Sequence, residues 1–189
     1  MKANEQTDSQ LLTLSRIDPE LMGVLYERHA ASVFRYLARR AGSQAAHDLL
    51  SEVFVAAVSA RMRVVPHASG SALPWLYGIS GNVLRAHLRA RRATATHSSD
   101  SFMDWDAVDD RVDAVAQRRG LAAALSSLTA AERELLLLVA WEGLTPAEAG
   151  AALGLTQVAA RSRLHRARAR AQAALDALAP THRPEGAQR

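Results

Sequence analysis

The sequence predicts an all-α protein, built as two small helical domains joined by an acidic linker. Three observations carry that reading. Apolar residues recur at helical spacing over long segments. Capping patterns and glycine or proline stops punctuate those segments. No period-2 stretch of useful length occurs, so no strand is expected.

Residues 1–17 are polar and are expected to be a frayed, flexible N-terminus. Asp18-Pro19-Glu20 reads as a helix start: a capping Asp, a Pro at the first turn and an acid near the positive dipole end. That helix can run to about Arg40 and stop at Gly42. Ser43 is expected to cap the next one, where Ala46, Leu49, Leu50, Val53, Phe54 and Ala57 form one apolar stripe. Residues 61–71 carry Pro66 and Gly70 and read as a loop. A third helix follows from about Ala72 to Arg92, closing a domain over 18–92. Residues 93–117 hold Asp100, Asp104, Asp106, Asp109, Asp110 and Asp113 and read as the acidic linker. A second domain, 118–179, opens as helical signals return. Thr129 to Glu132 and Thr145 to Glu148 are capping boxes, the second with Pro146 at the first helical position. Gly154 ends that short helix, and Thr156 can cap a last helix to about Leu178. Residues 180–189 are expected to be a flexible tail.

Composition excludes several classes. The chain has 189 residues, 49% apolar and 22% charged, which is globular. There is no Cys, hence no disulfide, thiol nucleophile or Cys-type zinc site. The longest apolar run, Leu135 to Trp141, is far short of the roughly 20 residues of a membrane span. No secretory signal is evident, so a cytoplasmic protein without membrane insertion is expected. No two of the seven His lie three or four apart, so no helical pair can hold a metal. No phosphate-binding glycine loop or dinucleotide fingerprint occurs, and no cofactor is expected. His47, Asp48 and Glu52 are the one weak catalytic candidate; a solvated helix flank explains them as well.

The positive signal is basic. Net charge is +4, and the cations are one Lys and 22 Arg. A GC-rich genome would produce the same bias, so position decides. The short capped helix, glycine turn and long helix at 145–178 have the layout of a DNA-reading helix-turn-helix. At 100° per residue, Ala160, Leu164, Ala167 and Ala171 share an apolar face of the last helix. Arg163, Arg166 and Arg170 flank it on one side, and Arg161, His165 and Arg168 on the other. Ser162 lies outward and Gln157 starts the helix. Arg rails around small and amide side chains suit a major groove. The helix ending at Arg92 holds a second cluster, Arg85, Arg89, Arg91 and Arg92, after Trp75, Tyr77 and Asn82. Aromatics beside Arg suit single-stranded DNA, although core packing also explains Trp75 and Tyr77.

These residues resemble a known family, the extracytoplasmic-function (group IV) sigma factors of RNA polymerase. LYERHAASVFRYLARR, DLLSEVFVAA and LPWLYGISGNVLRAHLRARR resemble that family's region two. The stretch from Leu125 to Ala171 resembles its region four. The resemblance covers roughly 20–92 and 118–178. It implies a non-enzymatic subunit that binds core RNA polymerase, at the largest-subunit clamp and the flap, and directs promoter choice and DNA opening. Asp48, Glu52 and Phe54 would carry the clamp contact. Trp75, Asn82, Arg85, Arg89, Arg91 and Arg92 would capture the minus-ten strand with the 61–71 loop. Gln157, Arg161, Ser162, Arg163, Arg166 and Arg170 would read the minus-thirty-five duplex. An anti-sigma factor is a further implied partner. The chain departs from the family pattern at Ser51, Gly81 and Ala86, and has small residues at Ala149, Gly150 and Ala160. The alternative is a stand-alone helix-turn-helix regulator.

Overall fold

The computed structural model describes residues 6–94 and 115–178, and these form helices and no strand. The first block contains α1 (Asp8–Leu14), α2 (Leu21–Ala41), α3 (Ser43–Ala60) and α4 (Leu73–Thr94), with a short 3-10 turn at Arg61–Arg63. The second contains α5 (Val115–Ser126), α6 (Ala130–Ala140), α7 (Pro146–Ala152) and α8 (Gln157–Leu178). Most of the expected acidic linker and the expected tail lie outside the described residues.

α1 corrects the expectation of a flexible N-terminus over Asp8–Leu14; residues 1–5 lie outside the described residues. Thr7 and Gln10 form a reciprocal capping box. Leu11 and Leu12 are fully buried. Asp8 ties the helix down: its carboxylate accepts from Arg28 at 3.0 Å, the Ala72 backbone N–H at 3.0 Å, and lies 2.7 Å from His29 Nε2. Burial alone would raise the Asp8 pKa. Its bond to His29, the Ala72 N–H and Arg28 outweigh that and lower it to about 2. Polar composition hid this helix because its anchors lie 20 to 64 residues away.

Two helix starts also shift. α2 begins at Leu21; Asp18 accepts from the Glu20 N–H, closing a turn ahead of the helix. α3 is entered through Gly42, at φ +81°, so Ser43 is its first residue and not its cap. The left-handed backbone at Gly42 turns α2 sharply into α3, and glycine adopts it without a Cβ clash.

One core runs through both blocks. Leu25, Val33 and Leu37 of α2 meet Leu49 and Val53 of α3 and Leu76 of α4. The same cluster continues into Leu135, Leu138, Ala149 and Leu164 of the second block. α4 packs on α7, which in turn packs on α8. The sequence left open whether the blocks touch; in this structure they share apolar and ionic contacts.

Candidate nucleic-acid interface

The helix-turn-helix is assembled by local signals. Thr145 and Glu148 close a capping box around the first turn of α7. Gly154, at φ +68°, makes the turn. Thr156 Oγ1 accepts from the Ala159 N–H at the start of α8. The three small residues flagged against the family pattern now explain one another. Ala149 and Ala160 are fully buried. A Cβ on Gly150 would lie 2.7 Å from the Ala160 Cβ. The absent methyl lets α7 and α8 approach closely, which offsets the weaker helix preference of glycine.

Ala160, Leu164 and Ala167 face inward as the helical spacing requires. Gln157, Arg161, Ser162, His165, Arg166 and Arg168 are exposed, and Val158 is 78% exposed. Val158 was missed; its signal was an apolar side chain off the core stripe at the helix start. Two proposed rail residues also meet partners within the chain. Arg170 donates to both carboxylate oxygens of Glu132, at 2.9 and 2.8 Å, bracing α8 on α6. The Thr129 hydroxyl and N–H, with Arg170, hold the Glu132 pKa below the usual carboxylate range. Arg163 is half-buried and lines a cavity of about 350 Å³ shared with Tyr36, Arg40 and Leu84 of the first block.

α4 carries the second basic surface. Trp75 is half-buried, Asn82 is exposed, and Asn82 accepts a bond from Arg85. Arg85, Arg89, Arg91 and Arg92 are all on the solvent side. Tyr77 points inward, 5.2 Å from Tyr36 between ring centres. Gly81 is buried, and a Cβ there would make ordinary contacts with the Arg85 guanidinium and the Tyr36 hydroxyl, so nothing in the structure explains the glycine at that departure. A cavity of about 460 Å³ opens between Trp75, Gly78, Asn82 and Arg85 on one side and Ala151 to Gly154 on the other.

α3 presents Asp48 and Glu52 to solvent one turn apart, with His47 beside them. Phe54 is more buried than the two acids. It is 8% exposed and packs edge-on against Tyr26, 4.8 Å between ring centres. It lines a shallow groove together with Met22, Tyr26, Val55 and Val58, the last three of which are the exposed apolar residues nearby. Val55 could have been found as an apolar residue opposite the stripe. Among the described residues no group of three or more His, Asp or Glu is placed to hold a metal, and no helix is long and apolar enough to cross a membrane.

Comparison with known proteins agrees with this layout. The model for Sigma-70 region 2 matches residues 25–94, and that for Sigma-70, region 4 matches residues 118–170. RNA polymerase sigma factor CarQ of Myxococcus xanthus is 36% identical over 145 residues, covering 75% of this chain and 82% of its own. ECF RNA polymerase sigma factor SigL of Mycobacterium tuberculosis is 30% identical over 148 residues, covering 77% and 83%. The solved structure of CnrH, in complex with the cytosolic domain of CnrY, superposes with a TM-score of 0.60 at 27% identity, covering 91% of this chain and 99% of that one. Sigma factor RpoE of Bartonella quintana shares the fold, with a TM-score of 0.54 at 18% identity, over 83% of this chain and 98% of that one. With both region models matched in order and relatives of one kind spanning three quarters of its length, this chain belongs to the extracytoplasmic-function, group IV, sigma factors of RNA polymerase.

Proposed function

We propose that this chain acts in the cytoplasm as a non-catalytic promoter-recognition subunit, dividing its contacts among three helices. The outer face of α3 docks core RNA polymerase through Asp48 and Glu52, with Tyr26 and Val55 adding apolar area. Exposed acids beside an apolar groove suit a basic partner surface. The α4 face of Trp75, Asn82, Arg85 and Arg89 captures the minus-ten strand. Flipped bases stack on aromatics while Arg attracts the backbone. The α8 face of Gln157, Val158, Arg161, Ser162 and Arg168 reads the minus-thirty-five duplex. Val158 offers an apolar contact to a thymine methyl, and Arg161 and Arg168 supply phosphate or guanine contacts.

The observation that carries the reading is the outward presentation of α8 by a complete helix-turn-helix. CnrH, at 27% identity, was solved with the cytosolic domain of CnrY, which supports a protein partner of the anti-sigma kind for this chain. The test is core-dependent promoter capture from a random-insert duplex library. A two-part motif with fixed spacing is expected only when chain and core polymerase are mixed. A motif selected by the chain alone, unchanged by core, would identify a stand-alone helix-turn-helix regulator instead.

A further inference from the structure

The 61–71 loop is tied to α1 at both of its ends. A helix leaves N–H groups unpaired in its first turn and carbonyls unpaired in its last. In α1 one of each is directed at the loop. The Ser9 N–H, in the first turn, donates to the Gly70 carbonyl at 3.2 Å. The carbonyl of Ser15, the C-cap, accepts from Arg61 Nε at 3.1 Å. Side chains repeat the pattern. Asp8, the first residue of α1, accepts from the Ala72 N–H at 3.0 Å, just past the loop. Arg16, which follows the C-cap, donates to the Val64 carbonyl at 2.6 Å. These four hydrogen bonds tie Arg61 and Val64 at one end, and Gly70 and Ala72 at the other.

The anchor is itself fixed. Leu11 and Leu12 are fully buried and seat α1 on the core. The Asp8 side chain is 11% exposed, with Arg28 and His29 of α2 at 3.0 and 2.7 Å from it. The tip between the ties is shaped but open. Gly70 turns it at φ +81°, and its N–H donates to the His67 carbonyl at 2.9 Å. His67 Nδ1 accepts from the Ser69 N–H at 3.1 Å and lies 2.8 Å from the Ser69 hydroxyl. Val65 is 84% exposed, and Ala68 and Ser69 also face solvent.

A segment fixed in this way has less freedom to lose on binding and presents its tip in one geometry. That geometry matters for selectivity. A pocket rejects a wrong base through the bonds that base leaves unmade. A loop free to shift would re-form them and discriminate less.

We infer that α1 is a positioning element for minus-ten recognition: by holding both ends of the 61–71 loop it fixes the tip that discriminates the captured base, with Asp8 and Arg16 acting through the loop. The inference rests on the proposed minus-ten role of α4 and on the loop's serving the same strand. Asp8 is anionic and nearly buried, so it offers a polyanion no contact of its own. Arg16 is cationic and exposed, so its test must separate a loop tie from a phosphate contact.

The experiment is core-dependent promoter capture from the random-insert duplex library. It compares the parent chain with Asp8→Ala, Asp8→Asn, Arg16→Ala and a tip variant, Val65→Ala with His67→Ala and Ser69→Ala. Asp8→Ala and Arg16→Ala should each relax preference at one or two adjacent positions of the downstream element about tenfold. The upstream element and the spacing should not change. Asp8→Asn, whose amide oxygen still accepts the Ala72 N–H, should retain most of the preference. If circular dichroism shows that Asp8→Ala does not fold, Arg16→Ala decides, because it leaves the Asp8 anchor intact. Arg16→Ala should leave the slope of log affinity against log salt unchanged; a slope flatter by about one would overturn its positioning role and mark a phosphate contact. Asp8→Ala and Arg16→Ala chains that weaken capture of all sequences alike, with the motif unchanged, overturn the inference. The tip variant separates the two failures. If it relaxes the downstream element and the α1 changes do not, α1 has no positioning role and the loop keeps its own. If none of them alters that element, the loop does not read the strand and the inference falls with it. If the parent chain with core polymerase yields no two-part motif, the sigma-factor roles themselves have failed.

Discussion

α4 and α8 are both 22 residues long and both rich in Arg, yet they are made in opposite ways. The start of α8 is set up locally, although its later turns pack on α5 and α6. Its cap, turn and supporting α7 lie within about a dozen residues, and its outer face is open. α4 is set up from afar. The N–H of Ala72, just before it, is held by Asp8, Tyr36 of α2 packs against its Tyr77, and α7 lies against one face. The comparison teaches that a basic helix reads cleanly from sequence when its scaffold is adjacent. It reads ambiguously when its scaffold is elsewhere in the chain.

The sharpest way to break the comparison is on α8. Arg161→Ala with Arg168→Ala should reduce promoter capture by the polymerase complex a hundredfold or more, at about 1–3 kcal/mol per contact. Arg170→Ala should leave capture within a few-fold, because Arg170 braces Glu132; its effect should appear as a lower thermal midpoint. Equal losses in capture from both changes would show that Arg170 reads the duplex as Arg161 and Arg168 do.

Packing between α7 and α8 comes next. Gly150→Val should destabilise the second block by about 1–3 kcal/mol in urea, since the added carbons overlap Ala160. Gly150→Val combined with Ala160→Gly should recover part of that loss.

The long-range anchor of α4 predicts an acid dependence. The Asp8 carboxyl titrates at about 2 when folded, below its ordinary 3.8. A depressed pKa stabilises the fold fully above about pH 4 and loses that contribution as pH falls through 2. The amount is about 2 kcal/mol. Asp8→Asn should remove this part of the acid slope in pH-dependent unfolding. The local scaffold of α8 gives the smallest effect: Thr145→Ala should cost about 1 kcal/mol through the lost cap.

The sequence disclosed the helices whose signals are local. Both capping boxes in the second block, the Gly154 turn and the α3 stripe are periodic or short-range patterns, and each is in place. It hid what depends on distant partners. α1 shows only two buried leucines in seven residues, and its helix depends on Arg28, His29 and Ala72. Arg40 sits in a run of ordinary helix cations, and nothing nearby says that Glu142 will neutralise it. For the sites, helical spacing placed the exposed face of α8. Phe54 is a mixed case: periodicity placed the ring against the core, where it also lines the groove beside Tyr26 and Val55.

The central claim is that α4 and α8 read two different DNA elements. Its most direct test repeats core-dependent capture with Asn82→Ala in one chain and Ser162→Ala with Val158→Ala in another. The account predicts that Asn82→Ala relaxes only the downstream element and the α8 pair relaxes only the upstream one, with spacing unchanged. A change of both elements by either chain, or of neither by both, would contradict the division of labour.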